Sequence, residues 1–564
     1  MDFIKKNPAV SAMFASAVIL LAAAAVLPAA PVWITDVGNK YIIMRNFART
    51  GQFEIKHDVP GTFPTGGFHF QKTAKGYRSF YPEQFPVLSS YIYRFAGARG
   101  VTLLPLVCGV LLAGFAAYKF RSFAAGMLTL FATPCAFYSL MLWEMIPAVL
   151  SGFCGIMLLR DRKFLSGGVV LGLGLFFREE LYFLGAAAGA VLLFQKEWKA
   201  LLRLSCGFLC GMLPVWLMQY FLTGHVLGLH GATYYLNNRQ GFDLKEEVLG
   251  VFWNFYQHVL RFDSASPIIV PVVFLLLSAW VKGAKKVWNL KIFFCVCAGL
   301  LTLYGAYNFL AGENFCYRAC MSAGFISTLP LCWLFWSNLK QLLFSGCRRD
   351  RFLTGIVLAY TLIVPPLLTR HDVGLFWGAR HFLFVMPFAV YLSIRAVRLL
   401  PYKKRILLYG LAGISIIWQL CGLYALLKVS EESDSLTRTV LANSKRIVAS
   451  DVFFLPEQAP ELFFERDFCE VTNRRQLEAL LAELARRKEN EVLFITSHRW
   501  SRLDKETRAL LAEHTARVGN SFAFKSASSG FMDLVFVQVF FRDQRGNVVK
   551  KEQKLIKKEK FLKK

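Results

Sequence analysis

The chain has 564 residues, of which 55% are hydrophobic and only 18% charged, with a mean hydropathy of +0.43. A single packed core stops growing at roughly 250–300 residues, so apolar residues in this proportion must face lipid. A soluble enzyme, a disordered regulator and a fibrous protein are excluded. The net charge of +28 invites a nucleic-acid partner, but its distribution points elsewhere: residues 1–428 hold 40 Lys/Arg and 17 Asp/Glu, residues 429–564 hold 25 and 20.

In chain order, apolar stretches near the length of a spanning helix predict segments at 8–30, 101–118, 122–142, 145–159, 165–177, 181–195, 204–222, 266–281, 292–311, 319–339, 352–369, 381–398 and 406–427, about thirteen in all. Short basic connectors separate them: Lys5-Lys6, Lys119/Arg121, Arg160/Arg162/Lys163, Lys196/Lys199/Arg203, Lys282/Lys285/Lys286/Lys291, Lys340/Arg348/Arg349/Arg351 and Arg395 to Arg405. These seven carry 23 of the 40 basic residues in 1–428. By the positive-inside rule they are cytoplasmic, so the basic excess reports membrane topology and no nucleic acid is expected. The N-terminus is then inside and the C-terminus outside. Both flanks of the stretch from Lys163 to Lys196 are basic, which predicts a hairpin turning at Arg178-Glu179-Glu180.

Three outward segments are long: 32–100, 223–265 and 429–564. Within the first, Glu83 to Phe95 mixes aromatics, Leu88 and Arg94 as an interfacial helix does. Residues 429–545 read as a small α/β domain. Its expected strands are Arg446–Ser450, Glu491–Thr496 and Met532–Phe541, and its expected helices Gln476–Lys488 and Leu503–Arg517. Residues 546–564 form a Lys-rich tail, read as solvated or touching lipid headgroups. Residues 1–428 form the membrane domain. Cys316 and Cys320, one helical turn apart, read as two buried thiols or a disulfide.

Several polar residues stand at the predicted outer boundary. Asp36 directly follows the first span, and Tyr81-Pro82-Glu83-Gln84-Phe85-Pro86 leads into the interfacial helix. Thr133-Pro134 and Tyr138 to Trp143 end on Glu144, Gly172 to Phe177 lead into Arg178-Glu179-Glu180, and Trp377-Gly378-Ala379-Arg380-His381-Phe382 precedes Met386-Pro387. This succession resembles the GT-C membrane glycosyltransferases. More narrowly it resembles the bacterial branch with aminoarabinose transferases and lipopolysaccharide-core galacturonosyl transferases, related to the polyprenyl-phosphate-mannose transferases. The resemblance covers about 1–428 in order and sidedness.

The resemblance implies an all-α polytopic GT-C-like bundle, with its active site and α/β C-terminal domain on the extracytoplasmic side of the bacterial inner membrane. A sugar would pass from a polyprenyl-phosphate-linked donor to a lipid, glycan or protein acceptor. Asp36 would be the general base; Glu83 would share the catalytic site and with Glu144 would position the acceptor or hold a divalent metal, Tyr81 also positioning the acceptor. Arg178, Arg380 and His381 would neutralise the donor phosphate, a task that suits the arginine fork.

Plainer alternatives stand beside these roles. Arg178 could pair with Glu144, Glu179 or Glu180 within the bundle, Arg380 could be an interfacial cation, and Asp36 and Glu83 could be solvated. His57, His69, His225, His230, His371 and Asp372 fit no metal-ligand spacing. A transporter or flippase for a lipid-linked sugar and a surface-polysaccharide polymerase or ligase are the rival classes. Against the first stand the absence of an internal repeat and the clustering of charge at the outer boundary.

Overall fold

The computed structural model describes residues 4, 6–29, 31–33, 35–57, 59, 61–63, 70–227, 244–261, 270–273, 275, 286–311, 324–344, 346–367, 377–398, 406–444, 446–452, 454–497, 501–524 and 534–541. Outside them lie Cys316, Cys320, His69, His230, His371, Asp372, the Lys-rich tail and most of the span expected at 266–281. The chain divides into two compact units, one of Met1–Pro31 with Ala96–Leu427 and one of Val32–Phe95 with Lys428–Lys564.

The first unit is a helical membrane bundle. Among the described residues, five helices are long and apolar enough to cross a membrane: Pro8–Val26, Ala98–Phe120, Trp198–Thr223, Arg348–Leu367 and Leu407–Asn443. Shorter apolar helices are Met145–Arg160, Phe164–Gly174, Glu180–Phe194, Ile292–Asn308 and Met386–Val397. Local chemistry sets several ends. Pro8 starts the first helix, where its missing N–H costs nothing. Ser122 caps the helix Phe123–Phe131 by accepting from the Ala125 N–H at 3.2 Å.

The stretch expected as one span at 122–142 is broken. Its helix stops at Phe131, Thr133 bonds back to the Thr129 carbonyl at 2.6 Å, and Pro134 cannot continue the ladder. A single turn, Cys135–Tyr138, follows, and Glu144 then stands at the start of Met145–Arg160. The expected hairpin at 164–195 is present: Phe164–Gly174 and Glu180–Phe194 flank a turn that contains Arg178.

One helix pair packs backbone to backbone. Gly168 and Gly172 on Phe164–Gly174 face Gly207 and Gly211 on Trp198–Thr223. A Cβ at Gly168 or Gly172 would overlap the carbonyl oxygen of Leu204 or Phe208, and one at Gly207 or Gly211 that of Leu165 or Val169. Small residues four apart on both partners are how helices approach closely where no hydrophobic effect drives them together.

The second unit is built on a five-stranded sheet. Its strands follow a two-stranded hairpin, β1 (Phe70–Thr73) and β2 (Gly76–Ser79), and are β3 (Ile447–Ser450), β4 (Asp467–Glu470), β5 (Glu491–Thr496), β6 (Thr515–Phe524) and β7 (Leu534–Phe541). The order is β4-β3-β5-β7-β6, with β4, β3 and β5 parallel and β7 and β6 antiparallel. All four residues of β3 are buried, as a strand covered on both faces requires. One face packs Leu477, Leu480 and Leu484 of the helix Arg474–Arg487 on Ala449, Phe494 and Val537. The other packs Leu436 and Val440, from the end of Ile406–Asn443, on Val448, Leu493 and Phe536.

The helix expected at Leu503–Arg517 runs only over Lys505–His514, and Thr515 already belongs to β6. The apolar periodicity of 503–517 thus crosses a helix-to-strand switch that alternation could not place. The helix Thr35–Thr50 was not expected as a discrete element. It buries Ile42 against Ile55, Phe63 and Phe70 of the hairpin region. The expected interfacial helix is Gln84–Ala96.

Candidate functional site

Each unit gathers one polar cluster. In the second unit Asp36 sits in the first turn of Thr35–Thr50, where a negative charge complements the helix dipole. The Tyr81 hydroxyl donates to Asp36 Oδ1 at 2.5 Å. Lys40, one turn further along the helix and 1% exposed, places its Nζ 4.8 Å from the centre of the Tyr81 ring. Two bonds fix the Tyr81 segment: its own N–H donates to Ser79 Oγ at 3.1 Å, and Ser79 Oγ donates to Asn39 Oδ1 at 2.7 Å.

Glu83 is 4% exposed and held at both oxygens by Arg78, whose Nε donates at 2.9 Å and Nη2 at 2.6 Å. Burial pushes the Glu83 carboxyl above its ordinary value, and the Arg78 guanidinium pulls the other way. Glu83 is therefore neither solvated nor an isolated carboxylate.

Sequence reasoning missed two buried acids, Glu457 close to Asp36 and Glu470 close to Glu457. Glu457, on the single turn Leu455–Gln458, is 1% exposed, and burial pushes its carboxyl up to about 8, with the charges of Glu470 and Asp36 adding to the rise. Glu470 ends β4 and is likewise buried. The contact to the helix is close, since a Cβ at Gly38 would overlap the Glu457 carbonyl. Further along the same helix, Tyr41 donates to Glu461, and Arg45 bridges Glu461 and Glu465. No local pattern marks these acids, because they lie some 420 positions from their partners in the chain.

In the first unit Arg178 joins three elements. Its Nη1 donates to Glu144 Oε1 at 2.9 Å, its Nε to Glu180 Oε2 at 2.8 Å, and its Nη2 to Glu180 Oε1. Intrabundle ion pairing is thus present for Arg178, through Glu144 and Glu180. His381 brings its Nδ1 to 3.3 Å from Glu180 Oε1, and Arg380 Nε donates to His381 Nε2 at 3.3 Å. Arg380 is 8% exposed, its guanidinium 6.0 Å from the Trp143 ring centre.

The segment carrying Arg380 is clamped. Trp377 Nε1 donates to Gln419 Oε1 at 2.9 Å, Tyr138 donates to the Trp377 carbonyl at 3.0 Å, and the Ala379 N–H donates to Thr328 Oγ1 at 3.1 Å. Gly378 has φ +69°, a left-handed conformation that suits glycine. The turn Arg380–Phe382 is pinned from behind by the Tyr360 hydroxyl, which donates to the His381 carbonyl at 2.7 Å.

The structure therefore brings Asp36 together with Tyr81, and Glu144 together with Arg178, Arg380 and His381, while Glu83 pairs with Arg78. Among the described residues, no three His, Cys, Asp or Glu side chains form a group that could hold a metal ion. His57 instead contacts Thr62 Oγ1 at 3.1 Å.

No protein-family model and no curated protein sequence matches the chain. Its fold is nevertheless that of a solved structure, ArnT from Cupriavidus metallidurans bound to undecaprenyl phosphate. The TM-score is 0.53 and the identity 10%, over 94% of this chain and 97% of that one. The apo form of the same protein matches with a TM-score of 0.52 and 11% identity over the same shares. A helical bundle with a small α/β C-terminal part, similar to that solved structure, is thus the architecture of this chain.

Proposed function

We propose that the chain is an integral-membrane glycosyltransferase of the bacterial inner membrane. In this reading it transfers a sugar from a polyprenyl-phosphate-linked donor to a lipid, glycan or protein acceptor on the extracytoplasmic face. The observation that carries the proposal is the fold shared along nearly the whole chain with a protein crystallised on undecaprenyl phosphate.

The reaction asks little of a leaving-group acid. The bond from the anomeric carbon to the phosphate oxygen breaks, and polyprenyl phosphate leaves as a stable anion. A bond forms from the acceptor oxygen to the anomeric carbon with inversion, and the hydroxyl proton passes to the base. Asp36 is that base. The hydrogen bond from Tyr81 fixes the direction of the carboxylate. Glu83 acts through Arg78, holding the segment that presents Tyr81.

Arg380 and His381 serve the donor phosphate. Arg178 contributes from its ion-paired position: its three bonds to Glu144 and Glu180 leave one N–H on each terminal nitrogen outside them. Glu144 acts through Arg178.

Purified protein in nanodiscs, given a radiolabelled undecaprenyl-phosphate sugar and an extract of envelope lipids and glycans, should release undecaprenyl phosphate and label an acceptor. Retention of all label on the donor across pentose, hexose and uronic-acid forms would overturn the reading.

A further inference from the structure

A cleft of about 360 Å³ opens in the second unit, lined by the end of Thr35–Thr50, residues 55–57 and residues 463–467 beside Arg446. Neither Asp36 nor Tyr81 lines it. Its volume lies in the range of small-molecule pockets, roughly 300–1,000 Å³, and exceeds what a bare inorganic anion fills.

The charge in this cleft is unbalanced. Its two acids are already engaged: Glu465 meets Arg45 at 2.7 Å, and Asp467 takes Arg446 at 3.1 Å as well as Arg487. Three of its cations have no carboxylate among the described residues. Arg49 is exposed and lies 5.7 Å from the centre of the Phe464 ring. Lys56 is exposed at the mouth. Arg466 spends its guanidinium on neutral acceptors, donating to Ser444 Oγ at 2.9 Å and to the Leu441 carbonyl at 3.0 Å, so its position is fixed while its charge is uncompensated. Arg446, 61% exposed, can turn from Asp467 without leaving a buried group unpaired. Phe463 gives the cleft an apolar wall, and Asn46 and Thr50 give it polar ones.

We propose that this cleft binds a phosphate ester carried on a sugar, with Arg49, Lys56 and Arg446 around the phosphate and the sugar ring along the Phe463 side. The arginine forks suit phosphate oxygens, and the lysine adds a point charge that can follow the anion. The mixed walls suit a ring that presents both C–H and hydroxyl groups. The ester could reach the cleft on a soluble sugar phosphate or on a lipid-borne headgroup, and the chemistry of recognition is the same. The site is separate from the transfer reaction proposed above.

The test is a titration of the full chain in phosphatidylcholine nanodiscs, followed by saturation-transfer NMR, with glucose 1-phosphate, glucose and inorganic phosphate as probes. Glucose 1-phosphate should bind, glucose should not, and inorganic phosphate should bind about ten-fold more weakly. The double variant Arg49→Gln/Lys56→Gln should lose about ten-fold or more in affinity with an unchanged melting temperature, and wild-type binding should weaken with added salt. Arg446→Gln should weaken binding independently. Arg380→Gln, in the other unit, should leave it unchanged, which separates this site from the donor site whether or not transferase activity is found. A second set of nanodiscs containing phosphatidylglucose distinguishes the sources: competition there assigns the cleft to a lipid-borne sugar phosphate, and undiminished binding assigns it to a soluble ester. Equal binding by the double variant and the wild type, or equal binding of inorganic phosphate and glucose 1-phosphate, would overturn the proposal.

Discussion

Tyr81 and Asp36, 45 residues apart, are joined by a 2.5 Å hydrogen bond from phenol to carboxylate, and the ring of the same tyrosine lies under the Lys40 ammonium. One aromatic side chain thus touches both charged groups on the first two turns of Thr35–Thr50. Asp36→Asn should lower turnover about 10²- to 10⁴-fold, the usual cost of losing a general base, while donor binding and membrane insertion stay normal. Tyr81→Phe keeps the ring and removes one hydrogen bond to a charged group, so turnover should fall by roughly 10- to 100-fold. Steady-state kinetics with the lipid-linked sugar decide this. An Asn variant retaining more than about a tenth of wild-type turnover would return Asp36 to a helix-end residue.

Arg178 and Arg380 should behave differently on substitution. Removing Arg178 strands two buried carboxylates, so Arg178→Gln should destabilise the protein by about 3–5 kcal/mol, seen as a lower melting temperature in detergent. Arg380→Lys keeps the charge but loses the fork. It should weaken apparent donor affinity by roughly 1–3 kcal/mol with little change in melting temperature. If both variants melt like wild type, the ion pairs seen at Arg178 do not hold the bundle together.

Glu457 makes stability depend on pH in a definite direction. Its carboxyl is raised from an ordinary 4.5 to about 8, so the folded chain keeps a proton that the unfolded chain releases. Stability from this group is full below about 4.5, falls as pH rises from there to about 8, and is constant above. Glu457→Gln removes the titration. Its stability relative to wild type should therefore grow between pH 5 and pH 8, by on the order of 2–4 kcal/mol, in thermal unfolding followed across that window. A pH-independent difference would show that Glu457 is charged in the folded chain.

The glycine face between Phe164–Gly174 and Trp198–Thr223 offers a comparison with internal controls. Gly172→Ala and Gly211→Ala place a methyl on a facing backbone carbonyl and should each cost about 1–3 kcal/mol. At Gly299 and Gly413 a Cβ would meet nothing within 4 Å, so alanine there should be neutral or stabilising by up to about 1 kcal/mol. Melting temperatures of the four variants suffice. Equal effects at all four positions would mean that the close approach contributes nothing.

Much of the bundle was legible in the sequence because lipid imposes one rule on every span. The hairpin at Arg178 followed from basic flanks, and the helix ending at Ala96 from aromatics placed around one arginine. The break after Phe131 was signalled by Thr133-Pro134 but was outweighed by the apolar run on both sides. The candidate site was legible only in part. Asp36 stood out because it ends an apolar run, and Arg178 because a charge there needs a reason. Their partners did not stand out. Glu83 has Arg78 five residues before it, a pairing that depends on the hairpin of β1 and β2 and has no helical spacing to announce it. Glu457 and Glu470 look like ordinary acids of a soluble domain. Only the fold of the second unit puts Glu457 near residue 36 and Glu470 near Glu457.

The short helix Phe164–Gly174 has a consequence for where charge lies in the bilayer. Eleven residues rising 1.5 Å each climb about 16 Å, roughly half of a 30 Å hydrocarbon layer. If Arg160 to Lys163 lie at one surface, as the positive-inside rule expects, a helix of this length brings Arg178 and Glu180 short of the opposite one. An arginine and its two carboxylates at that depth must neutralise one another, face water that penetrates between helices, or thin the membrane around them. Arg178, Glu144 and Glu180 take the first of these routes, pairing with one another inside the bundle.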